Sequence, residues 1–268
     1  MNLINRQHYL SILKVKCEEP SLQYLESLVA AQLQNFPYEN VSKLFYAKSG
    51  IKNIPNLNKY LNDNEKYGFG STCYAQNLYF SHLLNALGFK SEIVLSWVDG
   101  VKKDHISCKI RFGSASYIVD FGFMNSFSGP FNLNGSILKQ VIGGRTFLFI
   151  PKERENFRIE IHREEGLQRF FDSAETIVSE DELNNPIQDS FSQEALFMKS
   201  LVIWKRWGNP TYTIFNSEFI IGKGEKAIKR KIMDINDLKK IIFHEMNLAS
   251  YPVDHALEFL TKNGSSFF

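Results

Sequence analysis

Apolar positions recur at helical spacing through the first third of the chain. Ile4, Tyr9, Ile12 and Leu13 make one such run; after Pro20, Leu22, Leu25, Leu28, Val29 and Leu33 make a second, with Ser21 placed to cap it. Phe36-Pro37-Tyr38-Glu39-Asn40 breaks that run, because Pro37 disfavours helical backbone at Phe36. The loop Gly68-Phe69-Gly70-Ser71-Thr72 then opens another helix. Tyr74, Leu78, Leu84 and Leu87 lie near one of its faces, and Gly88 stands where a C-terminal glycine cap belongs. From Ser91 the period changes. Ser91–Val98 and Ile106–Phe112 read as strands joined by the turn-rich 99–104, and Gly113–Ser116 turns the chain into Tyr117–Asp120, so an antiparallel meander is predicted. Short strands are also predicted at 146–150 and 157–161. Residues 181–193, polar and carrying Pro186, read as a boundary. The last third mixes types: a strand within 195–204, a hairpin over 212–221, and helices at 235–248 and 253–262. No internal repeat or low-complexity segment interrupts the chain. Helices, then strands, then a mixed tail argue for an α+β fold over alternating βαβ units.

Composition narrows the function classes. The 268 residues suffice for one large domain or several small ones, and 44% apolar residues provide a sizeable core. Aromatics reach 14%, with 23 Phe, which suits aromatic-lined cavities. A net charge of +2, from 31 basic and 29 acidic residues, gives no bulk signal for nucleic acid or membrane surfaces. No window approaches eighteen uninterrupted apolar residues, and the N-terminus lacks a basic-then-apolar leader pattern. Three irregularly spaced cysteines make no disulfide framework. A cytoplasmic protein with reduced thiols is the expectation, and no metal constellation is legible.

The candidate chemistry starts at Cys73. With Ser71 or Thr72 as N-cap, it falls in the first turn of its helix, where unpaired N–H groups and the dipole favour a thiolate. A small buried apolar role is the alternative. A cysteine nucleophile needs a base. His82 lies nine residues along the same helix, about 13.5 Å away and half a turn round, too far to meet the thiol. His8, His162, His244 and His255 read as surface or packing residues; His244 lacks the second histidine of a zinc-protease helix. In Asp104–Ile110, period-two alternation puts Ile106, Cys108 and Ile110 on one face and His105, Ser107 and Lys109 on the other. Cys108 is then a core residue, and His105 is either a solvent-facing strand histidine or a base. Asp120 sits in the apolar context Tyr117–Phe123, where a carboxylate is costly unless paired. It either caps Gly122 or orients His105 from the neighbouring strand.

Together these residues resemble the arylamine N-acetyltransferases. Phe36-Pro37-Tyr38-Glu39-Asn40 is similar to that family's Ile-Pro-Phe-Glu-Asn. Gly70-Ser71-Thr72-Cys73-Tyr74 with Asn77-Leu78 resembles its Arg-Gly-Gly-x-Cys-Phe-Glu-x-Asn, and Tyr117–Phe123 resembles its Tyr-Leu-Val-Asp-Val-Gly-Phe-Gly. The resemblance implies a helical domain over 1–90 carrying the nucleophile. It further implies an antiparallel β-barrel-like domain over 91–190 carrying histidine and aspartate, an α/β domain over 191–268, and a cysteine-protease-like core. It also implies catalytic Cys73, His105 and Asp120, an acceptor pocket lined by Tyr38 and Phe123, and acetyl-CoA as acyl donor to a small-molecule amine such as an arylamine or arylhydrazine. Nucleic acid, membrane and metal are not expected partners.

The departures lie around the nucleophile. Phe69 stands where the family has arginine, Ser71 where it has its second glycine, Ala75 where it has glutamate, and Met124 where it has a glycine. The family's arginine pairs with the glutamate matched by Glu39, so Glu39 needs another partner here. The basic run Lys223, Lys226, Lys229, Arg230 and Lys231 reads as a solvated face or as a contact for CoA phosphates. Two other functions share these residues: hydrolysis or amide synthesis by the same triad, and a silent binding protein on the same scaffold.

Overall fold

The computed structural model describes residues 1–122, 129–142, 144–206, 210–223, 226–248, 250–265 and 267–268. The first third is helical: α1 (Leu3–Leu13), α2 (Leu22–Asn35), α3 (Val41–Lys48), α4 (Leu57–Tyr67) and α5 (Cys73–Ala86). Ser21 caps α2 by accepting the Tyr24 N–H at 3.1 Å. Pro37 ends that helix as expected, and the chain passes into the short strand β1 (Tyr38–Glu39).

An antiparallel eight-stranded sheet follows. Its strands are β2 (Lys90–Val98), β3 (Lys102–Phe112), β4 (Ala115–Val119), β5 (Phe131–Asn132), β6 (Leu138–Ile142), β7 (Arg145–Pro151), β8 (Phe157–Arg163) and β9 (Gly166–Val178). The order β5-β4-β3-β2-β9-β8-β7-β6 contains the expected meander β2-β3-β4 and curls into a half-barrel. Register shifts at Val94–Trp97 in β2 and at Ile161–His162 in β8 accompany that curl. One face of β2 and β3 packs on α5. The inside of the curl holds its own core, centred on Phe147, Phe149, Phe157 and Phe171.

The tail contains α6 (Asn184–Asp189), α7 (Leu196–Lys199), β10 (Val202–Arg206), β11 (Thr211–Phe215), β12 (Glu218–Lys223), β13 (Lys226–Lys231), α8 (Ile235–Lys240) and α9 (Val253–Lys262). The expected hairpin is β11–β12. The strand expected from residue 195 starts only at Val202, because the preceding turn is helical. The Asn40 side chain donates to the Phe197 and Ser200 carbonyls at 2.7 and 2.6 Å and holds that turn in place. Likewise, the helix expected over 235–248 is regular only to Lys240 and continues as a wider π-type turn to Glu245. β1 pairs with β10, so the segment 38–39 from the helical third forms the edge of the five-stranded sheet β1-β10-β11-β12-β13. α9 returns to pack on α3. Among the described residues no helix is long and apolar enough to cross a membrane.

Candidate active site

Cys73 is the first residue of α5, with Thr72 in extended conformation as its N-cap. The loop before it is shaped by one close approach: a Cβ on Gly70 would lie 1.9 Å from the Pro37 carbonyl oxygen, so only glycine fits. Ser71 then takes φ +72°, the left-handed region that the family's glycine enters without strain. Glu39, fully buried, is what this loop wraps. One of its carboxylate oxygens accepts the Gly70 and Ser71 N–H groups at 3.1 and 2.6 Å, and the other accepts the Ser42 N–H at 2.8 Å. Three backbone donors thus do what an arginine does in the family motif. Phe69, in that arginine's place, packs instead among Phe45, Tyr46, Tyr67 and Tyr251.

His105 lies on β3 and Asp120 directly follows β4, and the two strands are neighbours in the sheet. The His105 Nε2–H donates to Asp120 Oδ2 at 2.5 Å, and Ser107 Oγ–H donates to the same oxygen at 2.8 Å. Asp120 Oδ1 accepts the Gly122 N–H at 2.7 Å, so Asp120 both caps Gly122 and orients His105. The Cys73 side chain is also within hydrogen-bonding reach of His105 and favours its charged form. Cys73, His105 and Asp120 are 4%, 3% and 6% exposed, so all three are largely withdrawn from bulk water. The polar face of β3 is not solvated, which decides between the two readings of His105. His105, Ser107 and Lys109 are all buried there, because the sheet curls over and sets the Phe171 ring 5.1 Å from the imidazole.

Burial opposes a charge on His105. The Asp120 charge and hydrogen bond outweigh it, aided by Cys73, and hold the imidazole pKa well above its usual value. Burial likewise acts to raise the Asp120 carboxyl, but His105 and the Gly122 and Ser107 donors bring its pKa below the ordinary range. The pair therefore favours an imidazolium–carboxylate state next to the thiol.

Two further residues lock the constellation. Asn77, one helical turn beyond Cys73 on the same face, donates to the Ile106 carbonyl at 2.8 Å and accepts the Phe121 N–H at 3.1 Å. It ties the helix that begins at Cys73 to the strands bearing His105 and Asp120. Cys108, fully buried as expected, donates its S–H to the Asn77 carbonyl at 3.0 Å. Gly122 is the second: a Cβ there would lie 2.3 Å from His105 Cε1, 3.0 Å from Cys73 Cβ and 3.1 Å from Asp120 Oδ1.

Cys73 and His105 line a cavity of about 370 Å³ whose other walls include Tyr38, Lys43, Tyr74, Asp104 and Arg169. A second cavity of about 340 Å³ shares Tyr38, Arg169, Leu196 and Phe197 with it and adds Gly122, Arg145 and Arg163. Both arginines also line a third, of about 520 Å³, which reaches Lys226 and Lys229 on β13 and is not lined by Cys73, His105 or Asp120. Tyr38 is thus at the site, whereas Phe123 and Met124 lie outside the described residues. Lys226, Lys229, Arg230 and Lys231 form an edge strand, mostly exposed, and Arg230 pairs with Asp237. His8, His82 and His162 pair with Glu65, Glu180 and Glu160, away from Cys73.

The sequence model of a family described as N-acetyltransferase matches residues 21–251. The chain belongs to the arylamine N-acetyltransferase family. Solved structures share its fold at low identity. The arylamine N-acetyltransferase from Salmonella typhimurium superposes with a TM-score of 0.78 at 14% identity, over 98% of this chain and 99% of that one. The Mycobacterium marinum arylamine N-acetyltransferase in complex with CoA gives 0.77 at 15%, over 96% and 98%. An arylamine N-acetyltransferase from Bacillus cereus, described as having a unique Cys-His-Glu catalytic triad, gives 0.73 at 18%, over 91% and 98%. None of the curated proteins matches the chain by sequence. The α+β fold and cysteine-protease-like core expected of an arylamine N-acetyltransferase are therefore present, in a divergent member.

Proposed function

We propose that this protein transfers an acetyl group from acetyl-CoA to an amine or hydrazine, through an acetyl-cysteine on Cys73. The observation that carries the reading is the buried contact of Cys73, His105 and Asp120 at the start of α5 and on the wall of a cavity. In the resting pair, Cys73 is the thiolate and His105 the imidazolium, with Asp120 holding Nε2. The thiolate attacks the thioester carbonyl, and N–H groups at the start of α5 receive the oxyanion. The carbon–sulfur bond to CoA breaks, and CoA leaves with the His105 proton. An amine then attacks the acetyl-cysteine, neutral His105 takes the amine proton, and the bond to Cys73 sulfur breaks to restore the thiolate–imidazolium pair.

The connected cavities give each substrate a place in this reading. Tyr38 and Tyr74 border the acceptor beside Cys73. Arg145 and Arg163, with Lys226 and Lys229 beyond them, border the space proposed for the CoA phosphates. Arg145 and Arg163 both adjoin the Thr146–His162 pair of β7 and β8; burial and the Arg163 charge both lower the Arg145 pKa, so an anion near them is favourable. The test is CoA release without an acceptor. One equivalent of free CoA per protein is expected in a rapid burst, and none from Cys73→Ala; an undiminished burst from that variant would remove the mechanism.

A further inference from the structure

One end of the inner face of the curled sheet carries arginines on three successive strands. Phe147 of β7, Ile161 of β8 and Arg169 of β9 form one row across the sheet. Arg145 stands two residues before Phe147 on β7, and Arg163 two residues beyond Ile161 on β8, so strand alternation puts both on the face of that row. Phe147, Ile161 and Phe171 on this face belong to the core inside the curl. The Phe171 ring, two residues from Arg169 on β9, lies 5.1 Å from the His105 imidazole. The three arginines therefore share the face that backs the reacting pair.

They meet in the cavity of about 340 Å³ that Gly122 also lines. A Cβ on Gly122 would lie 3.0 Å from Cys73 Cβ, so this cavity abuts the cysteine. Phe147, Phe197, Trp204 and Phe215 give it an aromatic wall, and no aspartate or glutamate lines it among the described residues. Arg169 is held by Asp99, whose Oδ2 accepts its Nε–H at 3.0 Å while Oδ1 accepts the Phe170 N–H at 2.9 Å. Its side chain is nevertheless 36% exposed, so a ligand reaches it. Arg145 and Arg163, both half-buried, have no carboxylate within ion-pair distance among the described residues. An anion placed among the three relieves the repulsion between like charges and accepts their forked N–H donors. The aromatic wall suits a flat apolar body attached to that anion.

We propose that Arg145, Arg163 and Arg169 form one anion seat that is used twice, by the CoA phosphates in the first half of the reaction and by the carboxylate of an aromatic acceptor in the second. The double use rests on the acetyl-transfer reading, in which CoA leaves before the acceptor enters. Arg145 and Arg163 are shared with the cavity of about 520 Å³ that runs to Lys226 and Lys229, the side given to CoA. Arg169 is shared instead with the cavity of Cys73 and His105, the side given to the acceptor. The seat joins the two, so a carboxylated acceptor has its charge held while its amine reaches the acetyl-cysteine. The same sharing makes such an acceptor compete with the donor for the unacetylated protein.

The test is calorimetric titration of the whole protein at constant ionic strength, independent of turnover. Para-aminobenzoate and para-aminobenzamide have nearly the same shape and differ in one charge. Wild type is expected to bind the carboxylate about tenfold more tightly than the amide. Arg145→Gln, Arg163→Gln and Arg169→Gln should each reduce that preference. Inorganic pyrophosphate, standing for the CoA diphosphate, should weaken aminobenzoate binding competitively and leave aminobenzamide binding unchanged; this arm needs no variant. Equal affinities in wild type, no binding of either amine, or a preference that any one of the three variants leaves undiminished would overturn the seat. Aminobenzoate and pyrophosphate binding together without interference would overturn its double use. Acetylation of Cys73 by acetyl-CoA is read separately by mass, so the loss of this seat and the loss of the acetyl-transfer reading are distinguishable.

Discussion

Gly122→Ala is a one-carbon change that the geometry predicts to be severe. Its φ is outside the left-handed region, so the backbone accepts alanine and only the neighbours object. The new methyl would sit 2.3 Å from His105 Cε1, roughly 1.2 Å short of an ordinary carbon–carbon contact of about 3.5 Å. The imidazole cannot retreat. Asp120 holds it at 2.5 Å on one side, and Phe171 backs it at 5.1 Å between ring centroids. Either the ring or the 120–122 segment moves by about an ångström, and a displacement of that size at a reacting pair costs on the order of a hundredfold in rate. Overpacking adds a stability loss of about 1–3 kcal/mol. Rapid-quench measurement of Cys73 acetylation gives the rate, and thermal denaturation gives the stability. Acetylation within about threefold of wild type in a fully stable variant would refute the reasoning.

Asp120→Asn removes the main influence that keeps His105 protonated, so burial weighs against only the smaller help from Cys73 and the imidazole pKa falls. Alkylation of Cys73 by iodoacetamide should then slow near neutral pH and recover only at alkaline pH; an unchanged pH profile would contradict the pairing. In wild type, the raised His105 pKa contributes stability that is fully present below about 6.5 and is lost as pH rises through the raised value. The depressed Asp120 pKa contributes stability above the ordinary 3.8, lost as pH falls through the lowered value; urea midpoints across pH test both limits. Glu39→Gln turns an amide against three backbone donors and should cost about 2–3 kcal/mol in urea unfolding; a loss under about 0.5 kcal/mol would show that the donors do not hold the loop. Ser71→Gly relieves a left-handed φ of +72° and should stabilise by about 0.5–1 kcal/mol, a gain that calorimetry would register and that a lower melting temperature would deny.

What the sequence made legible was local. The Ser71-Thr72 cap announced α5, the two-residue period announced β2 and β3, and α9 was bounded at Val253 and Lys262 as read. The partners of Cys73 were legible because their order and setting are unusual: a histidine at a strand's start, and an aspartate in an apolar run. What stayed hidden depends on distant chain segments. β9 carries Arg169, Phe170, Phe171 and Asp172 with no clean alternation, yet it is the strand that curls the sheet over His105 and buries the polar face of β3. β13, four of whose six residues are lysine or arginine, has no apolar pattern because it is an exposed edge, where charge guards against strand-to-strand association. Glu39 finds its donors in backbone N–H groups, which no residue type announces. Asn77 had a visible signal, its four-residue spacing from Cys73, but its use as a tie between layers required the fold.

The central claim is tested most directly by intact-protein mass spectrometry after brief incubation with acetyl-CoA and no amine, followed by peptide mapping. The account predicts one acetyl group, on Cys73, discharged by an arylamine or hydrazine and absent from Cys73→Ala and His105→Gln. An unmodified wild-type protein, or an acetyl group that maps elsewhere or persists in Cys73→Ala, would contradict it.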